Sequence, residues 1–312
     1  MNRTQYYAKG KVLLSAEYFV TEGASALALP VKFGQRLIVE DHEGLKDECI
    51  WRSYNADNSL WFEVVFHLPG LEIKNFTNAD SATVVDKLKD ILQAVVRLQS
   101  NFLQKLEGKQ ITTQLEFPRD WGLGSSSTLI SLLSQWSHVS AYDLLELSFK
   151  GSGYDIAAAT AEGPIIYRKW NANPEVELVH FFPSFHNQLF FLHLNQKQDS
   201  REALVNYQIC PIDTRRQHLN RISQITHNML RASFLSEFDE LIREHEAILV
   251  DILKRPRVKD LYFSDFWGEI KSLGAWGGDF VLISSNRTVE ETKNYFKEKG
   301  YSTFFTFEDF LR

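Results

Sequence analysis

The sequence predicts an α+β protein built as two lobes. Runs with the twofold alternation of strands interleave along the chain with runs of helical period, which places both element types in one mixed architecture. A turn-rich stretch, Asn171 to Pro174, interrupts the pattern, and a boundary in the region 171–188 divides the chain into an N-terminal lobe, 1–180, and a C-terminal lobe, 181–312. With 312 residues, 44% of them hydrophobic and 24% charged, the chain can build real cores without disulfide or metal staples.

Taken in order, Val12 to Val20 and Gln35 to Glu40 are rich in Val, Leu, Ile, Tyr and Phe beside turn residues, and are expected to be strands. Trp61 to Leu68 is a third, closed by Pro69-Gly70. Ala82 to Leu106 carries the strongest helical period, from Val84 and Val85 through Leu88, Ile91, Leu92 and Val95 to Leu106. It has cap-type Asp80 and Ser81 before it and Gly108 after it. Ile111 to Phe117 alternates as a strand and leads through a glycine and serine cluster into the apolar run Leu129 to Trp136. Gly163 to Trp170 and Leu189 to Leu194 are strand-like, and Arg215 to Leu230 and Glu237 to Leu253 are helical. Phe280 to Ser284 is a strand, Thr288 to Lys299 a helix stopped by Gly300, and Ser302 to Phe307 a last strand.

The 34 Lys and Arg against 40 Asp and Glu leave a net charge of −6, which argues against nucleic acid or anionic lipid as a partner and leaves a small molecule. Cys49 and Cys210 are too few for a disulfide framework and have no metal-ligand spacing, so a reducing, cytoplasmic setting is expected. Lys9, Lys11 and Glu17 interrupt Met1 to Phe19, which does not read as a signal peptide, and no apolar stretch is long enough to span a bilayer. The expected assembly is a monomer or homodimer.

Three glycine-centred segments carry the chemistry. In Pro118-Arg-Asp-Trp-Gly122-Leu123-Gly124-Ser125-Ser126-Ser127-Thr128, the glycines let backbone approach an anion, and the serines open a helix whose free N–H groups favour phosphate. A serine hydroxyl there can also reach a nucleotide-bound Mg²⁺. The alternative is an ordinary glycine turn with a serine-rich cap, and no Lys follows as in a Walker loop. In Lys150-Gly-Ser-Gly153-Tyr-Asp155-Ile-Ala-Ala-Ala159, Asp155 serves to orient an acceptor, position a Lys or act as a base; its bland reading is a helix N-cap. Gly274-Ala275-Trp276-Gly277-Gly278-Asp279 precedes a strand and by itself reads as a tight turn.

Together with Lys9-Gly10-Lys11-Val-Leu-Leu-Ser-Ala-Glu17-Tyr18, these segments resemble, in order and over essentially the whole chain, those of the GHMP kinases, small-molecule kinases that include galactokinase, homoserine kinase, mevalonate kinase and phosphomevalonate kinase. Gly-Ser-Gly-Tyr-Asp-Ile-Ala and Gly-Ala-Trp-Gly-Gly-Asp are most similar to the phosphomevalonate kinase versions, and the Pro-Ser-Gly-x-Asp-Asn of mevalonate kinases is absent. The resemblance implies a ribosomal-S5-domain-2-like N-terminal lobe, a ferredoxin-like C-terminal lobe, and ATP with Mg²⁺. Departures are Lys9 where the family has Pro, Ser15-Ala16 before Glu17, and Trp276 for a glycine, which is expected to set a bulky ring beside the substrate.

What the resemblance implies residue by residue is as follows. Gly122, Leu123, Gly124, Ser125, Ser126 and Ser127 bind ATP, Ser126 also ligates Mg²⁺, and Glu146 is the nearest match to the metal carboxylate. Lys11 stabilises the transferring phosphoryl group and pairs with Asp155. Glu17, Tyr18, Gly153, Gly274, Ala275, Gly277, Gly278 and Asp279 contribute to the substrate side. Lys197 and Arg201, with Lys150 and Arg119 behind them, are candidate cations for an acidic acceptor, although each also reads as a surface charge. The implied reaction is γ-phosphoryl transfer to a small acid or its phosphate. Alternatives are a mevalonate or sugar kinase, a mevalonate diphosphate decarboxylase-like lyase, or a non-catalytic nucleotide-binding homologue.

Overall fold

The structure is a computed structural model that describes residues 2–77, 79–169, 174–196, 200–274, 276 and 279–311. The chain forms two compact units that are not consecutive halves. The first contains Met1–Gly10, Phe33–Arg119 and Gly124–Thr160; the second contains Lys11–Lys32, Asp120–Leu123 and Ala161–Arg312. The chain passes between the two units several times. Two long strands cause much of this, because β1 (Arg3–Leu13) and β2 (Ala26–Asp41) each contribute residues to both units.

In the first unit, β2 pairs with β1 and with β6 (Lys109–Leu115), which runs parallel to β3 (Glu48–Tyr54). Antiparallel β4 (Leu60–His67) and β5 (Glu72–Phe76) complete that side of the sheet. Gly34 permits the close approach of β1 and β2, since a Cβ there would meet the Ala8 carbonyl at 2.4 Å. The sheet packs on α1 (Ala82–Leu98), α2 (Phe102–Leu106), α3 (Ser125–Ser137), α4 (Ala141–Leu147) and α5 (Tyr154–Thr160). The core joins Trp51, Phe62 and Phe66 to the apolar face of α1 and to Phe102, Ile130, Leu133 and Leu144.

In the second unit the start of β2 pairs with β7 (Ile165–Arg168), which pairs with β8 (Glu175–Leu178). A separate antiparallel sheet has the order β10-β11-β9-β12, from β9 (Leu189–His193), β10 (Ile270–Leu273), β11 (Phe280–Ser284) and β12 (Phe304–Thr306). Around it lie α6 (Ser200–Ile209), α7 (Ile212–Arg231), α8 (Leu235–Leu253), α9 (Val258–Tyr262), α10 (Val289–Glu298) and α11 (Phe307–Leu311). Phe190, Leu192, Phe263, Phe266, Val281, Ile283 and Phe296 fill the core against this sheet. The architecture is the mixed α and β class expected.

Several expectations shift. The strand expected over Val12–Val20 ends at Leu13: Ala16 and Tyr18 take left-handed backbone (φ 65° and 64°), and Phe19–Glu22 forms a 3₁₀ turn. These residues are apolar because the second unit buries them, not because they are extended. The helix expected over Ala82–Leu106 breaks at Gln99, which takes extended backbone, yet Phe102 and Leu106 return to the same core and so preserve the apolar period. Ser81 occupies the cap position without capping; its hydroxyl donates to the Thr77 carbonyl. The last expected strand shortens because Phe307 starts α11. Thr288 and Glu291 do form a reciprocal capping box on α10, and Gly300 stops it with φ 91°. Asn171 to Asn173 of the expected break lie outside the described residues.

Candidate functional site

The glycine loop leaves the second unit at Leu123 and enters the first at Gly124. Gly122 and Gly124 have φ of 65° and 90°, the left-handed conformation that glycine adopts without steric cost. Gly124 is the N-cap of the 13-residue α3, and no side chain caps it. The first-turn N–H groups of Ser125, Ser126 and Ser127 thus lack intrahelical partners and sit at the positive end of the helix dipole. The Ser125 and Ser126 hydroxyls make no hydrogen bond among the described residues, and Ser126 is exposed. Ser127 differs: its buried hydroxyl donates to the Gly124 carbonyl at 2.8 Å and holds the turn. Thr128 fixes the helix start by donating to Gln35 Oε1 on β2.

In the second unit, the start of this loop is fastened to β1. The Lys11 amide donates to the Leu123 carbonyl at 3.0 Å, and Lys11 Nζ donates to the Gly122 carbonyl at 3.3 Å. Leu123 is 1% exposed, so its side chain is an anchor and only its backbone faces the loop. Trp121 supplies a second anchor, its ring packing on His193, Phe280 and Phe305. Asp279 lies against Gly122, where a Cβ would fall 1.7 Å from its carboxylate. Gly122 therefore gathers Lys11 of the N-terminal segment and Asp279 of the last glycine segment at one backbone position.

Glu17 and Tyr18, expected on the substrate side, are buried. Glu17 is 2% exposed and accepts from Lys271 Nζ on β10 at 2.5 Å. His245 Nε2 lies 3.1 Å from Glu17 Oε2, and Glu246 Oε1 lies 3.8 Å from Lys271 Nζ. Burial pushes the Glu17 carboxyl up to about 7, against the lowering pull of Lys271, and pushes Glu246 up to about 8. Burial, then Lys271, holds His245 well below the usual imidazole range. Tyr18 stacks on Tyr207 of α6, and its hydroxyl accepts from the Trp276 amide at 2.7 Å. The Trp276 ring, expected beside the substrate, is 2% exposed and donates its indole N–H to the Pro256 carbonyl. It packs inward because this hydrogen bond and the buried surface both lie in the body of the unit.

Asp155 stands in the first turn of α5, one position past Tyr154, which begins the helix; it is a helical residue rather than the cap. Gly153 turns the chain into α5 with φ 89° and accepts from the Ala157 amide. Glu146 is exposed on α4. Lys11, Gly122 and Asp279 thus belong to the second unit, and Ser125, Ser126, Asp155 and Glu146 to the first. Gly274 has φ 71° with open space beside it. Ala275, Gly277, Gly278 and Lys197 lie outside the described residues; Arg201 is placed on α6, with its side chain outside them.

Among the described residues no group of three His, Cys, Asp or Glu side chains is arranged to hold a metal ion. Mg²⁺ arriving with a nucleotide needs only one or two protein ligands, so the uncommitted Ser126 hydroxyl suits that ion while a protein-only cage does not. No described helix is long and apolar enough to cross a membrane. Sequence reasoning missed Lys271, His245, Glu246 and Trp121. A signal did exist for two of them, because His245 and Glu246 occupy apolar-face positions of α8 between Ile242 and Leu249.

No protein-family model and no curated protein sequence matches the chain. Solved structures do. Mevalonate kinase from Methanococcus jannaschii superposes with TM-score 0.70 at 17% identity, covering 97% of each chain. Streptococcus pneumoniae phosphomevalonate kinase in complex with phosphomevalonate and AMPPNP gives 0.67 at 16% identity, covering 96% of this chain and 97% of that one. Lactococcus lactis galactokinase complexed with galactose gives 0.66 at 16% identity, covering 97% and 92%. The chain has the fold of the GHMP kinases. In this GHMP kinase fold the Gly122–Ser127 segment is the turn into α3, the Gly153–Asp155 segment opens α5, and Gly274 follows β10.

Proposed function

We propose that this chain is an ATP-dependent kinase that transfers a phosphoryl group to a small acid or phosphorylated acid, with phosphomevalonate as the leading acceptor. The observation that carries the reading is the Gly122–Ser127 junction, where a glycine turn runs into the uncapped N-terminus of a 13-residue helix and Lys11 Nζ is fastened to the turn. The first-turn N–H groups are donors for phosphate oxygens, and the helix dipole adds to their pull. The kinase neighbours, one of them solved with phosphomevalonate and AMPPNP, support the same reading.

When bound, Mg²⁺-ATP supplies the phosphoryl group and the charge that the metal neutralises. Ser125 and Ser126 hold the phosphates, and the Ser126 hydroxyl is the ligand offered to Mg²⁺. Lys11 places a positive charge where negative charge grows on the transferring group. Asp155 orients the acceptor. A phosphomonoester with a second pKa of about 6 is already largely ionised at neutral pH and needs no base. A hydroxyl acceptor must lose its proton, and Asp155 then becomes essential. Glu17 and Tyr18 act from beneath the site rather than by touching substrate.

The test is ADP formation by the purified protein with Mg²⁺-ATP and, separately, phosphomevalonate, mevalonate, homoserine and galactose. Turnover with phosphomevalonate alone is expected, falling about 100-fold or more in Lys11→Ala. Turnover with only a sugar or mevalonate moves the acceptor; no ADP with any of the four, in protein that binds ATP, overturns the reading.

A further inference from the structure

The segment Ser15 to Tyr18 is held in an unfavourable shape by several elements at once. Ala16 and Tyr18 both have left-handed φ although neither is glycine, a conformation that persists only where the surroundings over-determine it. Ser15 Oγ hydrogen-bonds Thr226 Oγ1 of α7 at 2.8 Å. The Ala16 amide donates to His245 Nε2 of α8 at 3.0 Å. Glu17 accepts from Lys271 of β10, and Tyr18 Oη accepts from the Trp276 amide. Consecutive residues Glu17 and Tyr18 thus grip both ends of the Lys271–Trp276 stretch, beyond which Asp279 lies against Gly122.

The charges are unusual for so dry a place. Glu17, His245, Glu246 and Lys271 are each at most 2% exposed. Full burial demands a neutral set, and one Lys with two carboxylates is neutral only if one proton stays among Glu17, Glu246 and His245. His245 Nε2 spends its one lone pair on the Ala16 amide, so Glu17 Oε2 at 3.1 Å has no hydrogen-bond partner among the described residues, and the retained proton sits on a carboxyl group rather than on the imidazole. Arg257 also faces Glu246, while Glu269 binds the Arg257 guanidinium.

We propose that this quartet is a proton-loaded positioning centre: Lys271, held by Glu17, fixes Tyr18 Oη as the acceptor for the Trp276 amide. Lys271 is a positioning residue, with no contact to a reactant. Loss of the proton leaves two carboxylates competing for Lys271 and loosens the grip on Trp276.

Amide hydrogen exchange at Trp276 tests this without reference to any substrate, so its outcome is separate from that of the kinase assay. Glu17→Gln and Lys271→Met should speed exchange at Trp276 at least tenfold, as should Tyr18→Phe, while Phe191 and Leu282 of the neighbouring strands stay protected. The double variant Glu17→Gln/Lys271→Met removes the charges together, so it should fold and show the same local loss. After correction for intrinsic rates, wild-type protection at Trp276 should fall between pH 7 and 9, and Glu246→Gln should flatten that profile. Unchanged protection in the folded variants overturns the proposal. So does loss spread evenly over β9 and β11, failure of the double variant to fold, or a pH profile that Glu246→Gln leaves as it was.

Discussion

At Gly122 two requirements meet: a left-handed backbone and a hydrogen where any side chain would strike Asp279. Gly122→Ala is expected to cost about 2 kcal/mol of stability and to weaken ATP binding. Adding Asp279→Ala should recover the part due to the clash but not the part due to φ, and a double-mutant cycle read by denaturant melts separates the two. Lys11 and Asp155 are distinguished by the acceptor. With a phosphomonoester, Asp155→Asn should retain more kcat than Lys11→Ala; the reverse order in steady-state kinetics identifies a hydroxyl acceptor. The glycine turn at Gly122 and Gly124 and the helix start at Ser125 were legible in the sequence because they depend on backbone freedom and helix geometry, which are local. The surroundings of Glu17 and Trp276 were not, because their neighbours in the chain do not reveal that both side chains turn inward.

Among the elements, the residues that lead into α3 are fastened within the second unit. Trp121 packs on His193, Phe280 and Phe305, and through it the residues before Gly124 belong to the second unit. Trp121→Ala should destabilise that unit by about 2 kcal/mol and raise the Kd for ATP, with Trp121→Phe recovering most of both, as measured by thermal melts and nucleotide titration. The amphipathic α1 and α8 and the alternating β4 and β6 were readable, since a buried face repeats with the period of the element. β10 was not. It spans four residues, every one buried, with Lys271 in its midst, and a short strand buried on all sides has no alternation to show. The strand expected through Val20 failed for a related reason: burial makes a segment apolar whether it is extended or turned.

For the whole molecule, the buried quartet makes stability depend on pH. Glu17 and Glu246 titrate higher in the folded chain, about 7 and about 8, than in the unfolded one. The native state therefore holds more protons, and stability falls as pH rises through that range. His245, held below its usual value, works the other way and removes stability only below about pH 6.5. The Tm is expected to decline from pH 6.5 to 8.5, and Glu246→Gln should reduce the slope; an unchanged slope would show that other groups govern it. The α+β class, the long periodic elements and the three glycine segments could be read from the chain, because periodicity and turn chemistry act over a few residues. The assignment of segments to units, the inward Trp276 and the pairing of Glu17 with Lys271, 254 positions away, came from tertiary structure alone. A buried charge is tolerated only where folding brings it a partner, and one dimension of sequence does not say which distant residue that partner is.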